Sequence, residues 1–387
     1  MTQTLPLTYI DSLSELERFC EHLRGAELLA IDTEFLREKT YYPKFCLMQI
    51  ASESQAACVD PLTLKSLDPL AEILFDPSVM KVFHSGRQDL EIFYHFWNRL
   101  PEQIFDTQIA APLIGMSEQI SYAGLVAELL GVNLGKSHTR TDWSLRPLSE
   151  AQIKYAADDV IYLAAAYQKL RDQLQALDRL SWPEEDFSAL LNLSLYVNVP
   201  DQAWQRLTGT HQLRNQQLSV LQALAAWREK TAQEQDIPRN WLVKDEVLFD
   251  LSRLQPKTSE ELKRIRGLDE RMLKRYGETL CKLIREALQR SPQPLDLKIR
   301  SPRKTPEQEA LLDVLSAVVR LRAAQNSLNP SVVAGRKDLE QFLEEPDRSP
   351  LLQGWRKEMV GDELIAVLRG ELQLAITDGR LQVKHYV

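Results

Sequence analysis

The sequence predicts an α/β domain with a mixed sheet, followed by two small all-α helical domains. Three observations predict this. Short apolar runs alternate with stretches of helical periodicity over the first 205 residues or so. From Thr208-Gly209-Thr210 onward the periodicity becomes helical, and Pro292, Pro294 and Pro302 divide that region in two. Charge divides in the same place. Residues 1–208 carry 17 Lys+Arg against 29 Asp+Glu, residues 209–290 carry 16 against 12, and residues 291–387 carry 14 of each. At 387 residues and 44% hydrophobic, the chain can bury more than one core.

Leu7-Thr8-Tyr9-Ile10 reads as a short strand. Ser12 and Glu15 have the spacing of a capping box, Leu13, Leu16, Phe19, Cys20 and Leu23 recur at helical intervals, and Gly25 ends that helix. Leu28-Leu29-Ala30-Ile31 is a buried strand leading into Asp32-Thr33-Glu34-Phe35. Runs at 46–51 and 56–60 are two more strands, and their short connections suit antiparallel pairing. A helix near 67–75, a strand at 79–84 and a helix opened by Gly86 follow, an alternation that suits parallel pairing. Residues 104–106 form a strand, 107–114, 122–130 and 149–175 form helices, and a basic loop at 135–147 carries Lys136, His138, Arg140, Trp143 and Arg146. The first helical block shows Leu218, Leu221, Leu224 and Ala225 on one face, Asp245 as a helix cap, and a second capping box at Thr258–Glu261. The second block begins at Thr305-Pro306-Glu307-Gln308, with proline in the first turn. Alternation at Leu372, Leu374 and Ile376, then Asp378-Gly379, then Leu381 and Val383, predicts a closing β-hairpin.

Side chains alternate across a strand, so Asp32 and Glu34 share a face. Neighbouring carboxylates raise each other's pKa, and a hard divalent cation would relieve that repulsion. The pair reads equally as a metal site or as two solvated groups at a strand end. Asp89 follows a strand at a helix start, and Tyr155 and Asp159 share a helix face at i, i+4.

Asp32-x-Glu34, Asp89 and Tyr155-x-x-x-Asp159 together resemble the ordered motifs of the DEDD exonucleases, tyrosine subtype. His84-Ser85-Gly86-x-x-Asp89-Leu90, Arg140-Thr141-Asp142-Trp143-x-x-Arg146-Pro147-Leu148 and Tyr155-Ala156-Ala157-x-Asp159-Val160 are similar to bacterial ribonuclease D. Trp227-Arg228, Asp236-x-Pro238-Arg239 and Val243-Lys244-Asp245-x-x-Leu248 resemble the helicase-and-ribonuclease-D C-terminal (HRDC) domain. Block 302–370 is similar to a divergent second copy, with Trp355-Arg356 and Gly361 as landmarks.

The resemblance implies a ribonuclease H-like nuclease domain over 1–205, an HRDC domain over 209–291, and a divergent HRDC-like domain with the hairpin over 302–387. It implies 3′→5′ hydrolysis of RNA, with RNA 3′ ends and tRNA precursors as partners and two divalent ions, Mg²⁺ or Mn²⁺, as cofactors. Two such ions about 4 Å apart activate water and stabilise the reacting phosphoryl group. By the same analogy Asp32 bridges both ions, Glu34 and Asp159 complete the site of the ion that activates water, Asp89 serves the second, and Tyr155 orients the water. Thr33, Phe35, His84, Arg140 and Trp143 are candidate substrate contacts. His84, Phe35 and Trp143 read also as packed residues of the fold. Lys263, Arg264, Arg266 and Lys274 form a candidate phosphate grip, which reads equally as a salt-bridged surface because Glu260, Glu261, Asp269 and Glu270 are interleaved. A DNA-directed exonuclease and a catalytically silent RNA-binding scaffold are the rival readings.

Cys20, Cys46, Cys58 and Cys281 show no metal-ligand spacing and suit reduced thiols. No signal-peptide pattern or membrane-length apolar run is present in the sequence, so a cytoplasmic protein without membrane contact is expected, and a monomer is expected as well.

Overall fold

A computed structural model describes residues 5–135, 141–290 and 304–385. Over the described residues the chain forms two compact units. One gathers Met1–Glu34, Phe45–Asn192 and Arg303–Val387, and the other Phe35–Lys44 and Leu193–Pro302.

The first unit opens with β1 (Leu7–Ile10), α1 (Leu13–Leu23), β2 (Leu28–Leu36), β3 (Lys44–Ala51) and β4 (Ala56–Val59). It continues through α2 (Asp68–Leu74), β5 (Met80–Phe83), α3 (Arg87–Trp97), β6 (Ile104–Asp106), α4 (Thr107–Ala110), α5 (Tyr122–Leu130), α6 (Glu150–Ala176) and α7 (Glu184–Leu190). The six strands form one mixed sheet in the order β1-β4-β3-β2-β5-β6. β1 runs parallel to β4, β3 antiparallel to β4, and β5 parallel to both β2 and β6. β2 is therefore an inner strand, and Leu28 to Ile31 are buried as their apolar run predicts. α6 packs against β4 and β5. Its start is fixed by a capping box in which Ser149 Oγ accepts from the amide of Gln152 and the Gln152 side chain accepts from the amide of Ser149.

The capping box expected at Ser12 takes another form. Ser12 Oγ donates to Glu15 Oε2 at 2.7 Å, so the two side chains satisfy each other instead of the helix amides.

In the second unit come α8 (Gln216–Gln235), α9 (Arg239–Leu242), α10 (Asp245–Leu254), α11 (Ser259–Leu262) and α12 (Glu270–Ala287). Their core joins Leu218, Leu221, Leu224, Val247, Leu251, Leu280 and Ile284 with Ala203, Trp204 and Leu207. By packing, residues 193–208 join this unit ahead of its long helices. Residues 35–44 belong to it as well. The amides of Tyr41 and Tyr42 each donate to Asp236 Oδ1 at 3.0 Å, and the Tyr41 hydroxyl donates to Glu229. Arg206 and Arg239 also pair with Glu229, so its buried charge is compensated. Asp245 is the first helical residue and not the cap. Lys244 holds the cap position, and Asp245 Oδ1 instead accepts from the buried Arg228 at 2.7 Å.

The last part of the chain holds α13 (Pro306–Gln325), α14 (Pro330–Val333), α15 (Arg336–Glu344), α16 (Gly354–Arg356), α17 (Asp362–Leu368) and the hairpin β7 (Leu372–Thr377) and β8 (Arg380–His385). Asp378 and Gly379 both have positive φ at the hairpin turn, as their sequence predicts. This part is fastened to the sheet-bearing unit. Arg179 donates to the carbonyls of Leu113 and Asn326 at 2.7 and 2.8 Å, and the rings of Trp182 and Trp355 stack 4.5 Å apart. Beside them Gly354 has φ +47°, and a Cβ there would stand 2.6 Å from Glu185 Oε1.

All four cysteines are buried thiols without a disulfide. Among the described residues no helix is long and apolar enough to cross a membrane.

Candidate active site

Asp32 and Glu34 leave β2 on one face, and Asp159 meets them from α6. One carboxylate oxygen of each lies within 4.8 Å of the others. Burial and mutual charge both oppose ionisation here. The Asp32 carboxyl is held well above the usual carboxylate range by burial, then by the charges of Asp89, Asp159 and Glu34. Burial, then Asp159 and Asp89, push Glu34 up to about 8. Burial, then Asp158, pushes Asp159 up to about 7. Three oxygen donors at this spacing, destabilised in their charged forms, suit a hard divalent cation.

Asp89 lies outside that three-residue group but within its field. The Thr33 hydroxyl donates to Asp89 Oδ1 at 2.5 Å, which ties α3 to β2. Burial pushes Asp89 up to about 6 despite that bond. The turn that delivers α3 is held by Asp106, whose carboxylate accepts from the amides of Ser85, Gly86 and Gln108 at 2.8–3.0 Å. Gly86 is required there because a Cβ would stand 2.5 Å from Phe83 Cβ. Gly86→Ala should therefore destabilise the fold by about 1–3 kcal/mol, read as a lower midpoint in urea. An unchanged midpoint would show that the turn has room.

Tyr155 lies on the face of α6 that carries Asp159. Its phenol is pushed up to about 12 by burial, then by Asp159, Glu34 and Asp32, so it keeps its proton at neutral pH. Its ring stacks on buried Trp143, with centroids 6.4 Å apart and planes 23° from parallel. Tyr122, on α5, donates to the carbonyl of Asp158 at 2.8 Å and so supports the turn of α6 that bears Asp159.

The residues expected at the substrate divide. The Thr33 side chain is turned to Asp89, and Trp143 is packed beneath Tyr155. Both ring nitrogens of His84 have protein partners, Thr107 Oγ1 at 2.9 Å and the carbonyl of Ile120 at 3.2 Å. Phe35 is half-buried in β2. Arg140 lies outside the described residues. Lys263, Arg264, Arg266 and Lys274 are exposed, and Lys263 pairs with Glu260 at 2.8 Å. The sequence did not point to the Thr33–Asp89 bond or to Tyr122. Asp106 alone left a signal, as a carboxylate between a strand and a helix start.

A profile of 3′-5′ exonuclease domains matches residues 7–175, and one of HRDC domains matches residues 217–284. The fold and the acidic site thus define a 3′→5′ exonuclease joined to an HRDC domain. The ribonuclease D of Gluconacetobacter diazotrophicus is 38% identical over 379 residues, covering 96% of this chain and 95% of its own. That of Granulibacter bethesdensis is 37% identical, covering 97% and 96%. The crystal structure of Escherichia coli RNase D, described as an exoribonuclease involved in structured RNA processing, superposes with a TM-score of 0.81. It is 33% identical and covers 93% of this chain and 98% of its own. The chain belongs to the ribonuclease D family, and by class it is a hydrolase, a 3′→5′ exoribonuclease.

Proposed function

We propose that the protein is a divalent-metal-dependent exoribonuclease of the tyrosine subtype. It removes 5′-mononucleotides from RNA 3′ ends and acts in tRNA 3′-end maturation. The observation that carries this reading is the convergence of Asp32, Glu34 and Asp159 within 4.8 Å, in a chain of this family.

Asp32, Glu34, Asp89 and Asp159 would hold two Mg²⁺ or Mn²⁺ ions. When bound, the ions supply an activated water and charge stabilisation at the phosphoryl group and the leaving O3′. The residues have the following work. Asp32, Glu34 and Asp159 present oxygens on one face. Thr33 keeps Asp89 turned toward that face. Tyr155, protonated at neutral pH, orients the attacking water by hydrogen bonding and does not act as a base. Attack at phosphorus breaks the P–O3′ bond, and O3′ takes up a proton as the mononucleotide leaves.

Phe35, His84 and Arg140 are assigned to the terminal nucleotide, with His84 held by its two protein partners. Lys263, Arg264, Arg266 and Lys274 are assigned to backbone phosphates. By sequence kinship the domain division is 1–205, 209–291 and 302–387, with the last block a divergent HRDC-like copy, while in packing residues 193–208 go with the helical unit. What supports that kinship is a repeated order. α8, α9 and α10 have 20, 4 and 10 residues, and α13, α14 and α15 have 20, 4 and 9. The protein is assigned as a cytoplasmic monomer.

The test is product analysis on a tRNA bearing extra 3′ residues. Release of 5′-mononucleotides with Mg²⁺ or Mn²⁺, and none with chelator, is expected. Activity that survives chelator would overturn the metal assignment. Faster cleavage of DNA than of RNA of equal sequence would overturn the substrate assignment.

A further inference from the structure

Buried Asp60 follows β4 and lies far in sequence from every motif of the site. Arg146 grips it with both arms of its guanidinium, Nε to Oδ2 at 2.5 Å and Nη2 to Oδ1 at 2.7 Å. The Tyr9 hydroxyl donates to the same carboxylate at 2.5 Å, and the amide of Leu62 does so at 2.9 Å. A bidentate pair of this kind fixes orientation as well as charge. The same guanidinium also reaches the main chain. Nη1 donates to the carbonyls of Trp143 and Leu145 at 2.8 Å, and Nη2 donates to the carbonyl of Cys46 in β3 at 2.7 Å. The turn at 142–145 is closed by Asp142 Oδ1, which accepts from the amide and hydroxyl of Ser144.

Arg146 thus pins the backbone of Trp143 to β3 and β4. Trp143 is 4% exposed, and its indole makes an offset stack on the Tyr155 ring. A tyrosine ring on a helix can swing about its first two torsions, and the stack limits that swing on one side. This inference rests on the reading of Tyr155 as the residue that orients the attacking water. We infer that Trp143, held by Arg146 on Asp60, is a positioning residue for Tyr155 and not an RNA contact. The arrangement places a rigid support behind a side chain whose useful geometry tolerates little error.

The test is a double-mutant cycle on a 3′-single-stranded RNA oligonucleotide with Mn²⁺. Trp143→Leu should lower kcat by about 10- to 100-fold with KM changed less than about twofold. Trp143→Phe, which keeps an aromatic face, should recover most of that loss. In a Tyr155→Phe background, Trp143→Leu should change kcat less than about twofold, because the group it positions is already gone. Mn²⁺ affinity, read by calorimetry, should be the same in all four proteins. If the leucine variant does not fold, Arg146→Lys takes its place. It keeps a cation beside Asp60 but loses the reach to the Trp143 carbonyl. Losses that multiply in the double variant, or a raised KM with kcat intact, would overturn the positioning role. Full activity of Tyr155→Phe alone would instead overturn the reading of Tyr155 on which it rests.

Discussion

Asp32→Asn is expected to reduce mononucleotide release by about 10³-fold or more, equivalent to at least about 4 kcal/mol of transition-state stabilisation. Asparagine keeps the shape of the side chain and one oxygen but loses the charge. Asp32 lies at the meeting point of three other carboxylates, since Asp89, Asp159 and Glu34 all raise its pKa. A bound cation would relieve that repulsion. The loss should come from function and not from unfolding, because the neutral amide removes repulsion from the metal-free site. Asp158→Asn is the matched control. Asp158 is one residue from the site, and its side chain pairs with exposed Lys154 at 3.4 Å, a surface pair of little worth. That variant should keep activity within about threefold. Turnover of Asp32→Asn within tenfold of the parent, at saturating Mg²⁺, would remove Asp32 from the site.

The contrast between Asp32 and Asp60 shows what was legible in the sequence and why. Asp32 and Glu34 share a face because strand alternation is a local rule, and Tyr155 and Asp159 share one because helical spacing is another. Periodicity also located β2, α6 and the hairpin. Nothing local relates Asp60 to Arg146, 86 residues later, or Thr33 to Asp89, 56 residues later. Those bonds exist only once the sheet order β4-β3-β2-β5 has been made. The same holds for residues 35–44. Their sequence reads as a strand connection, yet Tyr41 and Tyr42 are bound by Glu229 and Asp236 of α8 and its cap. The mistaken caps at Ser12 and Asp245 have one cause. A side chain able to satisfy a helix end found a better partner, Glu15 in one case and Arg228 in the other.

Glu34→Gln should change how stability depends on pH. In the metal-free fold Glu34 is pushed from its ordinary 4.5 up to about 8, by burial first and then by Asp159 and Asp89. In the unfolded chain it returns to the ordinary value. Between those two pH values the folded protein holds a proton that the unfolded chain has lost, so stability falls as pH rises through the window. The stabilising proton is fully present below pH 4.5 and gone above about 8. Glutamine never carries the charge, so in excess chelator the variant should match the parent near pH 4.5. Above pH 8 it should exceed the parent by on the order of a few kcal/mol. Magnesium should reverse the order, because a cation stabilises the charged site of the parent more than the neutral one. At pH 7 it should also displace protons from the parent. Calorimetry in two buffers of different ionisation enthalpy would count them, and Glu34→Gln should release fewer. Parallel pH–stability curves for the two proteins in chelator would mean that Glu34 is solvated and ionised without a metal. The strand-end reading of Asp32-Thr33-Glu34 would then be the correct one.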